Sequence, residues 1–395
     1  MTRIAFALGN VSTWMGGVSY YDNLLTAIHL ADESRKHTLL ALIHDGYKGF
    51  DNLLHHFDEV RYLTPNNNVT QKIKNRATLW LTNQPNLARF APESELSKAS
   101  LRARAEVVFL KQDPYANFGV PNVCWFPDFQ YLHMPDMFDR GEEESYNRAA
   151  RNMARYATRV LLSSHATQKD FENILPEYKD KVQVIPFAAW INNEIQPQDA
   201  HQIQDEYHLT EKFFYLPNQF WKHKNHQIVL DALEITKSTI PNITVVASGG
   251  LSDFRNPAYP SEFAAEIARR GLRENFILLG LIPRKDVYAL MRQSLTILQP
   301  SLFEGWSTSV EEAKSLGKRI IVSDLDVHRE QNAPGALYFN PHNPQELADL
   351  LINAHRDLKP GMDPSTERQA RESMYIRVRE FGASFLALMS QVAGR

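Results

Sequence analysis

Pro300-Ser301-Leu302-Phe303-Glu304-Gly305-Trp306-Ser307-Thr308-Ser309-Val310-Glu311-Glu312-Ala313 lies between an apolar run at 295–298 and a helical pattern that continues to residue 316. A strand, a short polar turn and a helix in that order form the unit from which parallel α/β sheets are built. A helix opening directly from a strand leaves its first N–H groups without acceptors, and its dipole favours negative charge there. The turn therefore suits a phosphate. Glu304 falls in the turn, and Glu312 is expected about two turns into the helix. The two carboxylates can then address different parts of one extended ligand, one a sugar and the other a ribose.

The same pattern repeats in both directions. In the first half, apolar runs at 4–8, 38–43, 107–110, 123–126 and 160–162 alternate with helical periodicity. The second half repeats this with runs at 213–216, 244–247, 276–279, 295–298 and 319–322. Alternation of this kind predicts α/β domains, each a doubly wound parallel sheet. A chain of 395 residues exceeds what one core usually supports. The polar stretch 191–199, which follows a strand-like run at 182–185, predicts the boundary. The expected division is a first domain over 1–190, a second over 191–365 and a terminal helical segment over 366–395.

Composition excludes several classes. With 43% hydrophobic and 23% charged residues and a net charge of -3, the chain is neither disordered nor a nucleic-acid-wrapping protein. Its one cysteine, Cys124, stands in the apolar run Val123-Cys124-Trp125-Phe126 and reads as a small buried hydrophobe, so no disulfide framework forms within the chain. Residues 1–9 read as a first strand rather than a signal sequence, and no run approaches the ~18 apolar residues of a membrane span. A cytosolic protein is expected, at most peripheral at the inner face of a membrane.

The spacing Glu304-x7-Glu312, followed by Ala313, Gly317 and the run at 319–322, resembles the signature of family 4 retaining glycosyltransferases. The resemblance implies the GT-B fold: two Rossmann-like, doubly wound parallel-sheet domains facing a central cleft, with a C-terminal helix crossing back onto the first. It implies that Glu304 lies against the transferred sugar, that Glu312 hydrogen-bonds the ribose hydroxyls, and that amides of Ser307, Thr308 and Ser309 contact the donor.

Further segments extend the likeness. Gly16 and Gly17 follow the first strand and open a helix, where the family places glycines near the donor phosphates and the acceptor. Trp125 to Phe138 resembles the family's His-Asp-Leu-Gln-His segment but carries Pro127 and Tyr131 at the two histidine positions. Asp128, Gln130 and His133 remain, either to bond sugar hydroxyls and assist the acceptor or as structural groups. Lys224 matches the lysine of the family's Gly-Arg-x5-Lys segment. Asn218 occupies the arginine position, so one cationic contact to the diphosphate is absent or comes from Lys222. Gly249, in Ser248-Gly249-Gly250, and the backbone near Leu281 and Ile282 match positions that shape the base site.

The implied reaction moves a sugar, with mannose or a related hexose favoured, from a GDP-sugar or UDP-sugar to a hydroxyl of a glycan or lipid-linked acceptor. The anomeric configuration is retained by front-face substitution, and no cofactor or metal is implied. Asp324-Leu325-Asp326 has the spelling of a metal motif in the wrong setting. Two other readings stay open: a nucleotide-sugar epimerase of the same architecture, and a non-catalytic two-lobed sugar-binding protein. The basic stretch 71–104, with Trp80 and Leu81 among its lysines and arginines, is either a solvated helical face or a contact for anionic lipid.

Overall fold

The computed structural model describes residues 2–9, 15–44, 51–63, 80–82, 84, 93–111, 116, 118–192, 197–253 and 255–394. It divides into two units, the first formed by Met1–Ala188 with Ile376–Arg395 and the second by Ala189–Tyr375.

The first unit is a seven-stranded sheet of β1 (Thr2–Leu8), β2 (His37–His44), β3 (Glu59–Leu63), β4 (Val107–Leu110), β5 (Asn122–Trp125), β6 (Arg159–Leu162) and β7 (Val182–Val184). Their order is β3-β2-β1-β4-β5-β6-β7, and every pairing is parallel. Central strands such as Val107-Val108-Phe109-Leu110 are buried throughout, as a sheet covered on both faces requires. Leu40, Val108, Cys124 and Val160 form one core with Phe129, Met153 and Phe171 from the covering segments.

The second unit is a six-stranded sheet of β8 (Phe214–Pro217), β9 (Val245–Ser248), β10 (Phe276–Gly280), β11 (Ile297–Gln299), β12 (Ile320–Ser323) and β13 (Leu337–Phe339). The order is β10-β9-β8-β11-β12-β13, again all parallel. Its core joins Phe214, Val245, Leu298 and Ile321 to Val229 and Leu233 of the helix His226–Thr236 and to Leu347 and Leu351 of the helix Pro344–Asp357.

β3 and β13 are not among the apolar runs read from the sequence, although β13, Leu337-Tyr338-Phe339, is a short apolar run. Both are sheet edges, and β3 reads Glu-Val-Arg-Tyr-Leu with no fully buried position. An edge strand need not be apolar on both faces.

In each sheet the winding reverses beside the first strand: between β1 and β4, and between β8 and β11. Loops leaving the carboxyl ends of neighbouring strands diverge there and leave a crevice. The long helix Pro364–Val392 contributes its last part to the first unit, where a Cβ on Gly382 would stand 2.0 Å from the carbonyl oxygen of Ala27. Only glycine allows that approach.

Candidate active site

At the reversal in the second unit, the carboxyl ends of β8 and β11 deliver Asn218 and Gln299 side by side. The Asn218 Nδ2 donates to Gln299 Oε1 at 2.6 Å, and Gln299 Nε2 donates onward to Glu304 Oε1 at 2.8 Å and Ser307 Oγ at 2.9 Å. Asn218, Gln299, Ser301 and Ser307 are all buried. Buried amides persist when their polar atoms are paired, and this chain of pairs ties the two strand ends to the turn that follows β11.

Glu304 is the centre of that network. Its Oε1 accepts from Lys224 Nζ at 2.6 Å, Gln299 Nε2 at 2.8 Å and Ser301 Oγ at 2.7 Å. Among the described residues no hydrogen bond reaches its Oε2. One oxygen fixes the carboxylate and the other is left to act. Burial alone would raise the Glu304 pKa, but the Lys224 charge and the nearby His223 and His328 outweigh it, and the net shift is downward. Glu304 is therefore an anion at neutral pH.

The helix Thr308–Leu316 begins immediately after this turn and ends at Gly317, whose φ of 73° is the left-handed conformation common at helix ends. A Cβ there would come within 2.8 Å of the Ala370 Cβ. The Ser307 amide is engaged by Gln331 Oε1 at 3.2 Å, and the first bond of the helix runs from Glu311 N to Ser307 O. Thr308, Ser309 and Val310 thus present the amides that a helix start leaves without an intrahelical acceptor. The Ser309 hydroxyl donates to Pro217 O at 3.2 Å, holding that helix against the end of β8.

Glu312 lies just over one turn into the helix rather than two, because the helix begins at Thr308. It is buried, and its Oε1 accepts from Tyr288 Oη at 3.2 Å and from Arg284 Nη2 at 3.5 Å. Burial pushes its pKa up, opposed by Arg284 and Tyr288. Its neighbour Glu311 turns elsewhere, to Lys314 Nζ at 2.9 Å and Gln331 Nε2 at 3.1 Å.

The two lysines separate. Lys224 is largely buried against Glu304, whereas Lys222 is exposed, with its backbone N–H near Asp253 Oδ2 at 3.4 Å. Gly249 packs against the end of β8, where a Cβ would stand 2.1 Å from the Asn218 carbonyl oxygen. Leu281 is 74% exposed just beyond β10.

The candidates of the first unit form their own group. Gly16 and Gly17 lie in the first turn of the helix Met15–Ala31, while residues 10–14 of the preceding loop fall outside the described residues. Asp128 Oδ1 accepts from the Gln130 backbone N–H at 3.0 Å, and His133 Nε2 pairs with Asp170 Oδ2 at 2.8 Å while nearly half exposed. Asp128 also faces Lys111, which leaves β4 beside the reversal point. Burial draws the Lys111 pKa down to about 8, against the opposing pull of the Asp128 charge.

Gln299 and Lys111 were not singled out by sequence reasoning, although each is the polar residue that ends an apolar run at a strand's carboxyl end, which is a usable signal. Asp324 is committed to Arg329 at 2.7 and 2.9 Å. Among the described residues no three His, Cys, Asp or Glu side chains are grouped to hold a metal ion. No helix is long and apolar enough to cross a membrane among them either.

Comparison with known proteins places this geometry. Residues 198–371 match the family model described as glycosyl transferases group 1. The O-antigen chain mannosyltransferase RfbU of Salmonella typhimurium is 23% identical over 57% of this chain, and the match spans 58% of that relative's length. Anabaena Alr3699/HepE in complex with UDP superposes with a TM-score of 0.70 at 19% identity, over 99% of this chain and 100% of that one. WaaG, a glycosyltransferase involved in lipopolysaccharide biosynthesis, gives 0.61 at 14% identity over 99% of this chain and 98% of its own. The chain thus has the two doubly wound parallel sheets of the GT-B fold, and its second unit, which carries Glu304 and Glu312, is the part that matches the glycosyl transferases group 1 model.

Proposed function

We propose that this protein transfers a sugar, mannose or a related hexose, from a GDP-sugar or UDP-sugar to a hydroxyl of a glycan or lipid-linked acceptor, retaining the anomeric configuration and requiring no metal. The observation that carries the proposal is the fixed Glu304 carboxylate, saturated on Oε1 and open on Oε2, beside the unpaired amides of a helix start. The Anabaena structure bound to UDP-glucose and the Salmonella mannosyltransferase supply the donor class by likeness.

Departure of the diphosphate is the difficult charge event. The amides of Thr308, Ser309 and Val310 are preorganised for it. The Lys224 ammonium has three donors and spends one on Glu304, leaving two for phosphate oxygens. Lys222 adds a second, solvated cation. Glu304 Oε2 takes a hydroxyl of the transferred sugar, while Glu312 takes the ribose. In front-face substitution the leaving phosphate accepts the acceptor's proton, so Glu304 positions the sugar and forms no covalent bond.

In the first unit, Gly16 and Gly17 lie near the donor phosphates and the acceptor, and Asp128 and His133 serve the acceptor. Peripheral attachment through 71–104 is proposed from its basic composition and from Trp80, which is 57% exposed. Residues 71–79, 83 and 85–92 of that stretch lie outside the described residues. Flotation with anionic vesicles checks the attachment, and a protein that stays at the bottom of the gradient refutes it.

The decisive experiment is calorimetric titration of UDP and of GDP into the wild type and Glu312→Ala without added metal. One nucleotide should bind and the substitution should weaken it at least tenfold. Absence of binding by either nucleotide overturns the proposal.

A further inference from the structure

Glu312 is a buried carboxylate at risk of losing its charge, and a protonated carboxyl would be a poorer acceptor for a ribose hydroxyl. Two groups on the helix Arg284–Gln293 answer that risk. Arg284, its first residue, donates from Nε to the Tyr288 hydroxyl at 2.6 Å. Tyr288, one turn on, donates a hydrogen bond from its hydroxyl to Glu312 Oε1 at 3.2 Å, and Arg284 Nη2 stands 3.5 Å from that same oxygen. The guanidinium lies 5.5 Å from the centre of the Tyr288 ring.

The arrangement has a direction. A phenol has one proton to give and lone pairs to receive, so accepting from Arg284 polarises the O–H that Tyr288 gives to Glu312. Both contacts fall on Oε1. Among the described residues Oε2 receives no hydrogen bond, so the ligand's share of the carboxylate is set by what holds the other oxygen. Among the described residues Tyr215 of β8 is a further titratable group whose field meets Glu312, and its hydroxyl is paired with Ser248 Oγ.

We propose that Arg284 and Tyr288 form a positioning clamp that keeps Glu312 ionised and turns its Oε2 toward the ribose diol, making the site selective for ribonucleoside over dideoxynucleoside diphosphates. The inference rests on the ribose role given to Glu312 above. Neither clamp residue touches the reacting atoms. Arg284 is 41% exposed on its side chain, so replacing it leaves the core intact.

The test compares UDP and GDP with their 2′,3′-dideoxy analogues between pH 5 and 8. The ratio of the two affinities cancels the titration of the phosphates, which the analogues share. A hydrogen bond to a charged group is worth a ratio of about ten to a hundred. In the wild type the ratio should lie in that range at pH 7 and fall toward acid as Glu312 takes a proton. In Arg284→Gln the fall should move to higher pH, because the cation that opposes burial is gone. In Tyr288→Phe the ratio should drop several-fold at every pH while dideoxynucleotide affinity is kept.

Wild-type ratios and pH profiles in both variants would overturn the clamp and leave the ribose role standing. A wild-type ratio near one at every pH would overturn the ribose role itself. Loss of dideoxynucleotide binding in Tyr288→Phe would show general damage to the site and count against a positioning role.

Discussion

Lys224→Met tests the buried ion pair at the centre of the site. The Lys224–Glu304 pair has side-chain exposures of 16% and 9%, so removing the cation leaves a carboxylate in a poorly solvated place. Breaking a buried pair from one side costs about 3–5 kcal/mol. Gln299 and Ser301 still donate to Glu304 Oε1, which puts the expected loss near the lower end, about 3 kcal/mol. For a unit of this size that is a fall of roughly 6–12 °C in Tm.

The sign with pH follows from the cause of the shift. In the wild type the net Glu304 shift is downward, so its contribution to stability is present above the unfolded carboxylate pKa and fades as pH falls through the folded value. Without Lys224, burial raises the pKa instead. The variant should then regain ground on the wild type between neutral pH and pH 5, as its unpaired carboxylate takes a proton. Calorimetric unfolding, with hydrogen exchange at Tyr215 and Leu298 to identify the second unit, measures both effects. The double variant Lys224→Met/Glu304→Gln should recover most of the loss at pH 7. A single variant as stable as the wild type at pH 7, or a double variant no better than the single, refutes the view that Glu304 is held as a buried anion.

Three further outcomes follow from the same geometry. Glu304→Ala should lower kcat by roughly a hundredfold or more while the Kd for UDP or GDP changes by less than about threefold, since the carboxylate positions the sugar and not the nucleotide; equal losses in both would count against that role. Gly249→Ala should cost roughly 2–4 kcal/mol and weaken nucleotide binding, because the new Cβ would stand 2.1 Å from the Asn218 carbonyl oxygen; a fully active, equally stable variant contradicts it. His226 is stacked on Phe220, with neither ring nitrogen partnered among the described residues and its pKa lowered to about 3 by burial, so stability should fall as pH drops below about 6.5, by about 2 kcal/mol at pH 5 for this residue alone. His226→Phe should flatten that acid limb at little cost near pH 7, and an unchanged limb in urea unfolding would refute the assignment.

The parts of this protein that the sequence makes legible are those where one residue type can do only one thing. Runs such as Val107-Val108-Phe109-Leu110 announce central strands because both faces are covered, and Glu304 and Glu312 announce themselves by spacing. Of the four edge strands, β7 and β10 show as apolar runs, whereas β3 stayed hidden because exposure removes the apolar demand and β13 because it is only three residues long. Gln299 and the Tyr288–Arg284 pair stayed hidden for a different reason. Their significance lies in partners 5 to 81 positions away in the chain; a glutamine ending a strand marks a place at the sheet's carboxyl edge, but neither it nor an arginine opening a helix has a spacing that identifies those partners.

The helix Pro364–Val392 imposes an order of events on synthesis. Phe385 packs on Phe6 and Phe109 at ring-centroid distances of 5.9 and 5.1 Å, and Phe381 lies 6.2 Å from Tyr20, so the first strand and first helix meet aromatic neighbours that emerge from the ribosome long after them. The whole of residues 189–375 is translated in between, which takes on the order of 10–40 s at ordinary elongation rates. For that interval the nascent first sheet exists with part of its apolar face uncovered. The second unit, being contiguous, can close as soon as its own last helix appears, so the half of the protein made later is the half positioned to mature first.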